Sequence, residues 1–428
     1  MARKISVANE EVAISAFGAV TPLGNNWENI ADCLWQGKSG IHKIHKFNCE
    51  SFMTQHAGIP ETYNESGLNN RRRQSAEVLY TRHAARDLSA HPQFPGNCYA
   101  ESEIACIIGV DEPAVDIPLC LRMKADPKFR QQKLSLLEKL LKHFRLQDCL
   151  GLEPSSLLAN IHEFIPFSGL TATHVGLCSA SLQAIGLGFQ AIQSGNVEAA
   201  IVGGVSGKVN PINLARLELM DVISTDTLLA PTERSRPFDA QRSGFVLAEG
   251  AVLFLLEKKS NIEARNDRPL LGIMGYGSSL AAETIVTPHH TSLEMKLAMH
   301  RALRDADIDP EKIDLINAHG TSTVLNDLHE AEAIKTLFLS NRRLLVTANK
   351  SLHGHMIAAA GAMEVLNTLI SANEGFIPGV INLEHQDERC DIQLLHKSQR
   401  QSCEFILKNS FGMGGLAASV VTRNYYAA

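Results

Sequence analysis

Apolar residues in this chain fall into two kinds of run. Short, nearly unbroken runs occur at residues 12–18, 103–110, 199–204, 270–277, 313–317 and 344–348. Runs of this length, bounded by glycine or polar turns, read as strands covered on both faces. Residues 173–175 read as a further strand, and 244–257 as a hairpin or strand pair with a very apolar second part. Longer periodic stretches predict helices over 26–35, with Asn26 as a cap, and over 71–90, 179–194, 292–305, 327–338 and 356–371. Two of these, 179–194 and 356–371, carry almost no charge and are rich in Ala and Gly. A helix without a polar face is buried on all sides.

The order of elements repeats. Strand, polar turn, small-residue helix and glycine stop occur once around Cys178 and once around His355, at a spacing of roughly 200 residues. We therefore expect a duplicated α/β protein with halves at 1–260 and 261–428 and mainly parallel sheets. The two uncharged helices form a layer between the sheets. The first half carries an insertion at about 111–165 with a basic helical part. From Arg122 to Arg145 there are eight Lys or Arg against Asp126 and Glu138, with Leu134, Leu137, Leu140 and Leu141 at helical spacing. This segment is either a solvated face or a docking surface for an acidic partner.

Composition narrows the class. The net charge of −6 argues against nucleic-acid binding. Nine cysteines are scattered without a CxxC pair, which fits a reducing, cytoplasmic setting rather than a disulfide or zinc framework. No apolar run reaches the ~18 residues of a membrane span, and the first residues lack a secretory h-region.

Candidate chemistry gathers at the turns. Cys178 lies where a strand meets a buried helix; the helix dipole and free N–H groups there are expected to lower a thiol pKa, although a buried cysteine is also an ordinary core residue. His319 ends an apolar strand, where α/β sheets place ligands. His355 opens a buried helix, a costly place for an idle imidazole. Lys350 and His353 share its turn. The glycine-rich stretch 410–415 lacks the Lys-Ser/Thr of a phosphate loop; one of its N–H groups, with that of Cys178, would make an oxyanion hole. Cys178, His319, His353 and His355 match no zinc spacing, and a metal would occupy the nucleophile, so no metal is expected.

Five blocks then resemble the β-ketoacyl-[acyl-carrier-protein] synthases, the condensing enzymes of the thiolase superfamily, most nearly the type II elongating ones. They are Gly176-Leu-Cys178-Ser-Ala-Ser181; Arg236-Pro-Phe-Asp239 through Gly250; Asn317-Ala-His319-Gly-Thr321-Ser-Thr323 with Asn326-Asp327; Lys350-Ser-Leu-His-Gly354-His355 with Gly361-Ala-Met-Glu364; and Asn409-Ser-Phe411-Gly412-Met413-Gly414-Gly415. The resemblance implies a five-layered α-β-α-β-α fold and an acyltransferase that joins a Cys178-bound acyl group to malonyl thioester with loss of carbon dioxide, in fatty acid or polyketide chain elongation. It implies Cys178 as nucleophile, His319 and His355 as the decarboxylating pair, Lys350 as the active-site lysine and Glu364 as its structural partner. Thr321 and Thr323 are implied pantetheine contacts, Phe411 the aromatic beside the nucleophile, and Met413 the gate, with Gly412 and Gly414 allowing close approach. No cofactor is implied beyond the phosphopantetheine of an acyl carrier protein. The partners implied are that carrier protein and a second copy of the chain or another ketosynthase. Other readings are a non-catalytic chain-length-factor-like partner, disfavoured by the complete Cys-His-His set, and a degradative thiolase, disfavoured by the lack of a second cysteine in the 410–415 loop. The chain departs from the family pattern after the 103–110 strand, where Asp111-Glu112-Pro113 replaces a glycine-rich turn, and at Met413, where Phe is usual. Arg71–Arg73 and the basic insertion suggest a rim for an acidic carrier protein.

Overall fold

Each half of the chain contributes five strands to the main sheet, in one common order. The computed structural model describes residues 10–61, 75–112, 138, 153–281, 283–284 and 286–427. The first half supplies β1 (Val12–Val20), β2 (Ile104–Val110), β3 (Thr171–Val175), β4 (Ala199–Ser206) and β5 (Gly250–Lys258). The second supplies β6 (Leu271–Leu280), β7 (Leu315–Asn317), β8 (Leu345–Thr347), β9 (Phe405–Gly412) and β10 (Leu416–Arg423). They join as one 10-stranded sheet, β8-β7-β9-β10-β6-β1-β5-β4-β2-β3. Within each half the order is third, second, fourth, fifth, first. The halves meet where β1 pairs antiparallel with β6, Val12 opposite Ile273 and Ile14 opposite Leu271.

The main helices are α1 (Trp27–Gln36), α2 (Ala76–Ser89), α3 (Ala180–Gln193), α4 (Pro211–Leu219), α5 (Leu293–Ala306), α6 (Val324–Leu337) and α7 (Ala360–Asn373). Asn26 caps α1 as expected, accepting from the Asn29 N–H at 2.9 Å. α2 covers β1 and β5 on one outer face, and α5 covers β6 and β10 on the other, with α6 beside it. α3 and α7 lie between the two halves of the sheet. This is the duplicated, five-layered α-β-α-β-α arrangement. The small residues that mark α3 and α7 are what let the layers approach. A Cβ on Gly361 would meet the Leu182 Cβ at 2.8 Å, and one on Gly109 would meet the Ser181 backbone nitrogen at 2.4 Å. The Ala362 N–H donates to Ser181 Oγ at 3.0 Å, so the starts of the two central helices are tied together.

Some expectations are corrected. The sheets are not mainly parallel. β2 runs parallel with β3 and β4, and β7 with β8 and β9, but the fifth strand of each half is antiparallel to its neighbours. In the second half β9 and β10 form a hairpin whose turn is the glycine-rich stretch. Residues 244–257 are not a hairpin; the single strand β5 is preceded by irregular chain that touches Gly58, Ile223 and His355 through isolated bridges. The repeat also has a different register. Three-residue 3-10 turns, Leu177–Ser179 and Ile357–Ala359, lead into α3 and α7, which are 14 residues each and offset by 180 positions. Cys178 therefore corresponds to Ala358, and His355 precedes that position by one short turn. Both 3-10 turns open on a left-handed residue, Leu177 at φ 49° and Ile357 at φ 40°, a conformation that costs about 1–3 kcal/mol and persists only under surrounding packing. The basic stretch 122–145 and Arg71–Arg73 lie outside the described residues, apart from Glu138. Among the described residues no helix is long and apolar enough to cross a membrane.

Candidate active site

The start of α3 presents Cys178 to the turn before α7. The sulfur Sγ lies 3.1 Å from His355 Nε2. Ser410 Oγ donates to the Cys178 carbonyl at 2.7 Å, which ties Cys178 to β9. Gly412 lies beside the same turn: a Cβ there would sit 3.5 Å from the Cys178 nitrogen. The expected lowering of the thiol pKa is reversed. Burial pushes it up to about 12, and the charge of Lys350 with hydrogen bonds from the Cys178 and Met413 N–H groups only partly offsets this. Burial, followed by the charge of Lys350, also holds His355 well below the usual imidazole range. The resting pair is a neutral thiol and a neutral imidazole.

A consequence is measurable. Below the thiol pKa the thiolate fraction rises about tenfold for each unit of increasing pH, so alkylation of Cys178 by iodoacetamide should still be accelerating at pH 10, where an ordinary cysteine of pKa ~8.5 has levelled off. Peptide mass analysis across pH 7–10 checks this; a plateau below pH 8 would refute it.

His319 stands beside the pair. Its ring is 5.4 Å from that of His355 and 5.9 Å from that of Phe411, edge-on to both. Lys350 Nζ donates to His319 Nδ1 at 3.0 Å and also to the His319 carbonyl. With Nδ1 accepting, the ring proton sits on Nε2, so His319 is set as a donor. His355 has no such lock, because its Nδ1 is buried without a partner. Burial first, then the charges of Lys350 and His355, keep His319 well below its ordinary pKa.

Behind the histidines is a charge cluster of which the sequence reading had only part. Lys350 pairs with Glu364 Oε1 at 2.8 Å, as expected, and the other carboxylate oxygen takes Lys408 at 2.8 Å. All three side chains are fully buried. Burial pushes the Lys408 ammonium down to about 8 although Glu364 opposes it. For Glu364, burial raises the pKa but Lys350 and Lys408 outweigh it, leaving the carboxyl below its ordinary value. Glu330 was also missed. It accepts the His319 N–H at 2.7 Å, the Gly320 N–H at 2.9 Å and Asn409 Nδ2 at 3.2 Å. Asp327 accepts the Thr321 N–H at 3.0 Å and that of Phe238 at 2.8 Å, with Arg242 3.6 Å away. The only sequence signals were a lysine inside an apolar strand run and acids in a helix that follows a polar loop.

A cavity of about 560 Å³ opens on this group. It is lined by Cys178, His319, His355, Thr321, Thr323, Phe411, Gly412 and Met413, and by Phe245, whose ring sits 5.0 Å from His355. Lys350 and Glu364 lie behind the lining. Gly414 makes the β9–β10 turn at φ 78° and does not line the cavity. Of the four residues of the zinc set, Cys178, His319 and His355 bring ligand atoms within 4.8 Å of one another. His353 turns away, with Nδ1 on the Gly354 carbonyl at 2.6 Å. The Lys350 ammonium against His319 adds positive charge that opposes a cation and favours an oxyanion.

The chain is similar to known proteins along nearly its whole length. Residues 126–261 match the family described as Beta-ketoacyl synthase, N-terminal domain, and 271–384 match Beta-ketoacyl synthase, C-terminal domain. The 3-oxoacyl-[acyl-carrier-protein] synthase 2 of Coxiella burnetii is 29% identical over 418 residues, 96% of this chain and 97% of that protein. The same-named protein of Vibrio harveyi is 27% identical over 425 residues, 97% of this chain and 99% of that protein. A β-ketoacyl synthase from Burkholderia phymatum superposes with a TM-score of 0.86 at 24% identity, covering 97% of this chain and 99% of that one. A ketosynthase solved with its type II polyketide acyl carrier protein and bound to the hexaketide also gives 0.86, at 22% identity, with 97% and 99% covered.

Proposed function

The chain belongs to the β-ketoacyl synthase family, and from that premise we propose that it catalyses decarboxylative condensation of an acyl group on Cys178 with a malonyl thioester, both delivered by an acyl carrier protein. The observation that carries this reading is the 3.1 Å contact of Cys178 Sγ with His355 Nε2, with His319 edge-on beside it. A non-catalytic partner has no use for that contact.

The chemistry follows from the protonation states. The neutral thiol passes its proton to His355 Nε2 as sulfur attacks the acyl thioester, and the proton leaves with the pantetheine sulfur. The N–H groups of Cys178 and Met413 stabilise the oxyanion. Malonyl thioester then enters, past Thr321 and Thr323, which contact its pantetheine, and past the Met413 gate. His319 Nε2–H holds the thioester oxygen while carbon dioxide leaves, joined by His355 in its Nε2–H tautomer, which is open to it because no partner fixes Nδ1. The resulting carbanion attacks the Cys178 thioester, releasing the sulfur and a 3-oxoacyl product. Neutral imidazoles suit this step because each has a proton to donate without needing to titrate. Lys350 sets the tautomer of His319, Glu364 holds Lys350, and Phe411 packs beside His319.

The same reading gives the chain a cytoplasmic setting and a dimeric state, with itself or another ketosynthase. Among the described residues β3 is an edge strand of the sheet, and Leu170 before it and Val175 at its end are 51% and 49% exposed, which supports the dimeric state. The test is product analysis. Purified protein with acyl- and malonyl-loaded carrier protein should yield carbon dioxide and 3-oxoacyl product in equal amounts; malonyl loss without product would reject the condensing role.

A further inference from the structure

The reaction leaves one part of the cavity unused. β2 ends at Val110, and Asp111 and Glu112 follow, the departure from the family's glycine-rich turn. Glu112 lines the same cavity as Cys178, together with Lys208, Asn213 and Arg216 from β4's exit and α4. Glu112 Oε1 takes Lys208 Nζ at 3.2 Å and Arg216 at 2.9 Å. Lys208 is 3% exposed and Asn213 is 5% exposed. Next to them Asp111, 8% exposed, accepts from Ser206 Oγ at 2.8 Å and the Gly207 N–H at 3.3 Å through one oxygen. Its other oxygen is buried and has no hydrogen-bond partner. Leu217 and Ile357 supply apolar lining in the same cavity.

A plain alkyl chain fits this lining poorly. Its end would strip water from the buried Lys208 ammonium, and part of it from the half-exposed Arg216, and give no hydrogen bond in return. A hydroxyl on the distal carbons accepts from Lys208 or Arg216 and donates to the Glu112 carboxylate oxygen that neither cation takes. Building on the condensing-enzyme reading, we propose that the Glu112–Lys208–Arg216 end of the cavity is a polar acyl subsite that selects chains carrying a distal hydroxyl over alkyl chains of equal length. Glu112 and Lys208 are its specificity-determining residues.

The test uses synthetic S-acyl pantetheine thioesters, so that no carrier protein is needed. Acetyl, a series of straight alkyl chains and the matching terminally hydroxylated chains are compared by the rate at which each loads Cys178, read by intact mass. At one or more lengths the hydroxylated chain should load about tenfold or more faster than its alkyl match. That ratio should fall towards one in Lys208→Met and Glu112→Leu. Alkyl chains loading as fast at every length overturn the proposal, as does a ratio unchanged in both variants; if a variant does not fold, the wild-type ratio decides. Acetyl loading with no hydroxyl preference rejects the subsite alone. Failure of every thioester, acetyl included, to load the folded wild type rejects the condensing-enzyme reading and the subsite with it.

Discussion

Cys178→Ala should lower condensation by about 10⁴-fold or more, the scale seen when a covalent nucleophile is removed, while malonyl decarboxylation continues. The split follows from the geometry. The sulfur is the one group positioned to carry an acyl chain, and its contact with His355 is lost on truncation. His319 keeps its Lys350 hydrogen bond, and its position depends on Glu330, not on Cys178. The donors for the malonyl oxygen therefore survive. Carbon dioxide release and 3-oxoacyl product are measured in the same reaction. Condensation within about tenfold of wild type in the variant would assign the chemistry to another nucleophile or another subunit.

Glu364→Gln should destabilise the protein by about 3–5 kcal/mol, the cost of leaving a buried charge without its partner. The upper end is expected because one carboxylate here serves two buried ammonium groups, Lys350 and Lys408, each at 2.8 Å. Lys408→Met is the milder change, since Glu364 keeps Lys350. Urea unfolding of both variants orders them; a Glu364→Gln midpoint equal to wild type would contradict the account. The pH dependence adds a signed check. Lys408 titrates near 8 in the folded protein against an ordinary 10.5. Between those values the unfolded chain binds the extra proton, so wild type should gain stability relative to Lys408→Met as pH rises through that window.

The sequence pattern made much of this architecture legible, for physical reasons. Helices with almost no charge, such as α3 and α7, have only one place to go, between sheets, and the strand-turn-helix around Cys178 places that thiol at a buried helix start. What it could not supply depends on contacts distant along the chain. Lys408 sits in an apolar strand, and nothing nearby reveals that Glu364 comes to meet it from α7. The thiol of Cys178 has the helix end that lowers a pKa, but the degree of burial that outweighs it belongs to the assembled layers. The stretch 410–415 reads as a ligand loop; it lines the cavity at Gly412 and Met413 and makes a hairpin turn at Gly414. His355 was matched to Cys178 by the likeness of their surroundings, whereas the helix register pairs Cys178 with Ala358.

The most direct measurement weighs the peptide that contains Cys178. After incubation with acyl-loaded carrier protein, it should carry the mass of the acyl group; after malonyl-loaded carrier protein is added, that mass should disappear as 3-oxoacyl product forms. A folded protein whose Cys178 peptide stays unmodified in the first step would contradict the account.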